Sequence, residues 1–186
     1  HSVKILCDRL KVVAQRINAQ NNKKNHIAIV GDLVETITGL NHINVWQEIE
    51  SGWHGGNAII GAFYIIKESF LDNVDNVGTI YITSGNHDRL SSNKDVDRAG
   101  GAAQIIAEML KLAGFDVQWH HMIISVESDD IRYVFTHGHL NLVKQNLGEI
   151  FFKYGDQNKY NVLISAHLHS RNKKRPVITN EEIPID

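Results

Sequence analysis

Four apolar runs of this sequence each close on groups that bind metals or move protons. Asp32 ends "IVGD", Asn86 lies in "SGNHD", His137 in "FTHGH", and His167 with His169 in "SAHLH". The second run sets an amide, an imidazole and a carboxylate in succession as Asn86, His87 and Asp88. Nitrogen and oxygen ligands without thiolate suit divalent ions such as Mn, Fe, Zn or Co. Cys7 is the only cysteine, so a Cys-rich structural zinc site is excluded. A carboxylate such as Asp32 can bridge two ions, and two histidines one residue apart can each point at a different one. Two ions about 3.5–4 Å apart activate water and neutralise charge on a phosphoryl group. The chemistry that fits is hydrolytic.

Such residues must be brought together by strands, because ligands in open α/β sheets gather at the carboxyl ends of strands. Val3, Leu6, Leu10, Val13 and Ile17 recur at helical spacing, with Lys4, Asp8, Arg9, Lys11 and Arg16 on the other face. "HIAIVGD" then reads as a buried strand, residues 58–71 as a buried helix, and "TIYITSGNHD" as another strand with a polar end. Residues 102–114 predict a helix stopped by Gly114. Strand-like "DVQWHHMIISV" and "IRYVFTHGH" follow, joined through "ESDD", then a helix over 141–154 and the apolar run "YNVLISAHLH". His120 and His121, as strand neighbours, are expected to face opposite sides. Alternating helices and strands predict a layered α/β domain, and the absence of a linker or repeat predicts a single domain over residues 1–186.

The totals bound the partners. A net charge of -2 gives no global reason to bind an acidic polymer. One cysteine is compatible with a reducing compartment, which predicts the cytoplasm. No apolar run approaches the roughly 20 residues that span a bilayer, so no membrane partner is expected. Oligomeric state, homodimer or partner subunit alike, is not readable from these residues.

The ordered set "GD", "GNHD", "HGH" and "AHLH" resembles the calcineurin-like metallophosphoesterase family, whose pattern runs D-x-H, G-D, G-N-H-D/E, H, then G-H-x-H. The resemblance extends from Asp32 to His169 and implies a layered α/β/β/α sandwich with the metal site at the C-terminal ends of the strands. It implies two divalent ions, Mn foremost, with Fe, Zn, Co or Mg as alternatives. His1, directly before the first helix, matches the histidine of D-x-H; its Asp partner and the first strand would then lie upstream. The competing reading of His1 is a tag remnant. By the same resemblance Asp32 bridges the ions, while Asn86, His137 and His167 hold the second. His169 and His1 belong with the first. His87 would contact the scissile phosphate and assist the leaving oxygen, and Asp88 would orient it. Ala166 departs from the usual Gly of the last motif, which tightens the backbone there without removing a ligand.

The implied reaction is hydrolysis of a phosphoester by a hydroxide between the ions, attacking phosphorus in line. Small members of this kind resemble phosphodiesterases and the nuclease domains of DNA-repair exonucleases, so a phosphodiester, DNA in particular, is the expected substrate. The alternatives are a phosphomonoesterase acting on nucleotides or phosphoproteins, and a catalytically silent binding scaffold. For substrate contacts the sequence offers His139, the second histidine of "HGH", and Arg171 and Lys173 of "SRNKKRP", which would hold a nucleic-acid backbone or form a solvated turn. Trp53 and His54 of "ESGWHGGNA" would line a loop where a base stacks; alternatively Trp53 packs under the following helix.

Overall fold

The computed structural model of the chain describes residues 2–35, 43–48, 51–91, 93, 97, 100–139 and 147–167, and places them in a mixed α/β arrangement with two three-stranded sheets. In chain order, α1 (Ser2–Asn18) leads into β1 (Asn25–Val30), and the short α2 (Ile43–Glu48) precedes α3 (Gly56–Ser69) and β2 (Val77–Thr83). Then come α4 (Gly101–Leu112), β3 (Val117–His120), β4 (Ile123–Ser128), β5 (Ile131–Thr136), α5 (Leu147–Tyr154) and β6 (Tyr160–Ser165). The first sheet is parallel throughout, in the order β1-β2-β3. In the second, ordered β4-β5-β6, an antiparallel hairpin is followed by a parallel pair. Parallel neighbours need crossovers, which α3, α4 and α5 lie within.

Packing follows from the apolar faces. Ile80 and Ile82 of β2 are 0 % exposed and sit with Ile59 and Phe63 of α3 and Ile106 and Leu110 of α4 in the largest core cluster. Truncating either isoleucine to Ala would cost about 2–5 kcal/mol. On the same strand Tyr81 points the other way, into a cluster with Ile124 of β4 and Phe135 of β5 that joins the two sheets. Val134, the next residue back along β5, faces away again and packs with Ile123 and with Ile150 of α5.

Gly114 ends α4 as expected. Its φ is +95°, its N–H bonds the Lys111 carbonyl, and the Phe115 N–H reaches back to Leu110, the pair of bonds that closes a glycine-capped helix. The helix expected over 58–71 runs instead from Gly56 to Ser69 and passes into a 3-10 turn at Leu71–Asn73. A larger difference lies in "DVQWHHMIISV", which reads as one strand and is two. The chain breaks at His121 and Met122, because the His120 Nδ1 accepts the N–H groups of Met122 and Ile123, each at 3.2 Å, and β4 starts the second sheet. The turn also overturns the expectation for the two histidines, whose rings stack at 4.4 Å between centroids.

The apolar stripe of α1 is only partly covered. Ala14 is buried, whereas Leu6 is 47 % and Val13 43 % exposed. Val3, Leu6 and Leu10 form one wall of a cleft of about 470 Å³ whose other walls are Ala28 of β1, Leu33 just after it, and Ala58 and Ala62 of α3. No helix among the described residues is long and apolar enough to cross a membrane.

Candidate metal centre

Each expected ligand among the described residues follows the carboxyl end of a strand. Asp32 stands two residues past β1, Asn86 three past β2, His137 directly after β5 and His167 two past β6. The two sheets therefore contribute two apiece. Ligand atoms of Asp32, His137 and His167 all lie within 4.8 Å of one another. The Asn86 Oδ1 joins them, 3.2 Å from the His137 Nε2.

The local backbone is shaped for this approach. Gly31 and Asp32 both take left-handed conformations, with φ of +75° and +53°, and Asp tolerates that region better than most residues. A Cβ at Gly85 would fall on the Asp32 backbone nitrogen and carboxylate, so only glycine lets the two loops touch. His167, itself one of the expected ligands, has φ +65°. Ala166, where the resembled family has Gly, carries no positive φ and the substitution costs no strain there.

His137 is 2 % exposed and holds both ring nitrogens in place. Its Nδ1 is 2.8 Å from the Val30 carbonyl, and its Nε2 is 3.0 Å from the Asp32 Oδ2. Because the carbonyl can only accept, Nδ1 carries the proton and Nε2 is the atom left for a metal, the usual way a ligand histidine is fixed. Burial pulls the His137 pKa down, but the Asp32 hydrogen bond, the Val30 carbonyl and the Asp32 and Asp88 charges outweigh it, and the pKa is raised. For Asp32 burial pushes up, while the His137 bond, the His87 backbone N–H at 3.0 Å and the charges of both histidines bring the carboxyl below its usual range. Without an ion the site is an Asp–His ion pair. With one, Asp32, Asn86, His137 and His167 are an oxygen and nitrogen set that fits a borderline divalent cation.

Asp88 does not orient His87. Its carboxylate is 0 % exposed and accepts four backbone N–H groups, from Gly85 (2.7 Å), Leu33 (2.7 Å), Asp32 (3.0 Å) and Val34 (3.2 Å). It ties the loop after β1 to the loop after β2. Burial, opposed by those N–H groups and helped by the Asp32 charge, pushes the Asp88 carboxyl up to about 6. The carboxylate on the His87 ring is Glu35, whose Oε1 is 2.9 Å from Nδ1. Glu35 lies outside the motif. Its signal was present in "GDLVE", where a second carboxylate follows Asp32 by three residues.

The remaining expected residues divide by position. His139 lies beside the centre, 5.4 Å from the His137 ring and 6.3 Å from that of His167 between centroids. Burial first, then the charges of His137, Arg89 and His167, push its pKa down to about 4 against a weak rise from Asp32. Trp53 packs on α3, where its ring fills the space a Cβ at Gly61 would need, and it also lines the apolar cleft that reaches Asp32 and Glu35. Its ring is committed to the helix rather than presented on a free loop. His54 occupies the turn before α3, where its carbonyl accepts the Asn57 N–H at 3.2 Å. His1, His169, Arg171 and Lys173 lie outside the described residues. Arg89, also unremarked in the sequence, is 7 % exposed next to Asp88.

Compared with protein-family models, with curated proteins and with solved structures, the chain matches none.

Proposed function

We propose that the chain is a divalent-metal-dependent phosphoester hydrolase of the calcineurin-like metallophosphoesterase kind, acting on phosphodiesters, with DNA as the substrate class. The observation that carries this reading is the convergence of Asp32, Asn86, His137 and His167 from four strand ends. The order of packed clusters, helices on one sheet, sheet on sheet, then α5 on the far face, supports the α/β/β/α sandwich that the motifs imply.

A divalent ion held by these four residues would supply charge neutralisation and an acidified water. The protein's own groups do the rest. His87, its Nδ1 held by Glu35 Oε1 at 2.9 Å, is the residue assigned to the leaving oxygen. In hydrolysis the water oxygen bonds phosphorus, the P–O bond to the leaving group breaks, and His87 donates a proton to that oxygen. A positioned acid of this kind contributes typically ~10²–10⁴-fold. Asp88 fixes the loop on which Asn86 and His87 ride. His1 and His169 remain the proposed further ligands for a second ion, by motif alone.

The test is hydrolysis of bis-nitrophenyl phosphate and of nitrophenyl phosphate with Mn and with EDTA. EDTA-sensitive cleavage that favours the diester supports the reading. Preference for the monoester makes the protein a phosphatase, and inactivity of Mn-loaded protein toward both esters and toward DNA overturns the enzymatic reading in favour of a scaffold.

A further inference from the structure

Arg89 follows the "GNHD" motif directly and is 7 % exposed. Its Nε is buried with no hydrogen-bond partner, and among the described residues no carboxylate pairs with its guanidinium. A guanidinium this little exposed is costly unless something pairs with it. The obvious candidate is its sequence neighbour Asp88, but that carboxylate is already saturated by four backbone N–H groups. Asp97 is likewise engaged, with the N–H groups of Leu90, Gly100 and Gly101. A second orphan lies nearby. The His139 Nε2 is buried without a partner, and its ring centroid lies 5.4 Å from that of His137.

An unpartnered buried nitrogen on a permanent cation three residues past Asn86, and a second on the ring 5.4 Å from that of His137, form an electropositive receptor with its counter-ion missing. We propose that Arg89, with His139 beside it, is the receptor for a phosphate oxyanion that lies against the metal centre. A guanidinium suits this task because its planar fork can give two parallel N–H bonds to a phosphate, which an ammonium cannot do. The inference deepens the phosphoesterase reading, since it names the group that grips the anionic part of the substrate. The oxyanion has two sources, the phosphoryl group being cleaved or a neighbouring phosphate of the same polymer.

The experiment compares wild type, Arg89→Met and Arg89→Lys at pH 8 in EDTA, with inorganic phosphate as the probe and thermal unfolding as the readout. A ligand that binds only the folded state raises the midpoint. Phosphate should raise the wild-type midpoint, should do so at least tenfold less effectively for Arg89→Met, and should retain an intermediate effect with Arg89→Lys. In phosphate-free buffer Arg89→Met should melt at or above wild type, because it removes a buried unpaired charge at similar volume. Equal phosphate shifts in wild type and Arg89→Met overturn the proposal. So does an Arg89→Met midpoint far below wild type together with an Arg89→Lys that responds to phosphate like wild type, since that pattern belongs to a packing role.

Two substrates then separate the sources. A raised KM for bis-nitrophenyl phosphate in Arg89→Met assigns the residue to the scissile group. A raised KM confined to 5′-phosphorylated oligonucleotides assigns it to a neighbouring phosphate. Should the chain neither bind Mn nor cleave an ester while the phosphate shift stays Arg89-dependent, the proposed function fails and the anion site stands.

Discussion

Glu35 and His87 are 52 residues apart in sequence, and the carboxylate of one meets the ring of the other at 2.9 Å. The contact fixes the imidazole through its Nδ1. Glu35→Gln keeps the shape and removes the charge, so it should lower kcat by about 10–100-fold with Mn content unchanged, while His87→Ala should lower it by about 10²–10⁴-fold. Metal analysis alongside steady-state kinetics checks this. Loss of Mn in His87→Ala would sink its assignment as an acid rather than a ligand.

Asp88 predicts a stability effect in place of a catalytic one. Asn at that position would turn an NH₂ group toward backbone donors, leaving at least two buried N–H groups unpaired at about 1–3 kcal/mol each. Urea unfolding of Asp88→Asn should show a midpoint lowered by several kcal/mol worth of stability. A variant as stable as wild type would mean that the four N–H contacts carry little.

Metal affinity should rise with pH. The His137 pKa is raised above 6.5, so its ion pair contributes stability that is fully present below 6.5 and lost as pH rises through the folded value. The Asp32 pKa is lowered below 3.8, so its share is present above 3.8 and lost as pH falls through its folded value. Between those limits an incoming cation must displace the His137 proton, which makes Mn affinity climb by up to about tenfold per pH unit until His137 is deprotonated. Calorimetry at several pH values would show this, and a flat profile would remove His137 from the ligand set.

Glycine positions give a sharp contrast. Gly85→Ala drives a methyl into Asp32 and should cut Mn affinity at least tenfold while lowering the melting temperature. Gly148→Ala, in α5 with nothing within 4 Å of the added carbon, should be neutral or stabilising by about 0.5–1 kcal/mol. Equal behaviour of the two variants would show that the contact of the two loops is not what sets Asp32.

The legible part of the site was the part written in strand ends. Asp32, Asn86, His137 and His167 each close an apolar run, and parallel pairing of β1 with β2 and of β5 with β6 carries those ends to one side. Less legible was anything decided by a side chain's choice among partners. "GNHD" puts His87 and Asp88 next to each other, yet neighbours on a tight turn point apart, and each found its partner in the loop after β1. The break at His121 was invisible because apolar, strand-favouring residues flank it on both sides, and periodicity does not say which sheet a strand joins. Arg89 escaped notice because a sequence shows a charge but not whether it has been answered.

The His137 ring reaches from the end of β5 to the Val30 carbonyl of β1, 107 residues away, and so pins one sheet to the other at the site itself. Any ion taken up there would act as a rivet between two layers that otherwise meet through a small apolar cluster around Tyr81, Ile124 and Phe135. Amide hydrogen exchange would register the difference. In chelated protein the seam should open as a unit, with β1 and β5 gaining deuterium together. With metal in place both strands should slow together, so that occupancy of the centre is written into the breathing of the two sheets.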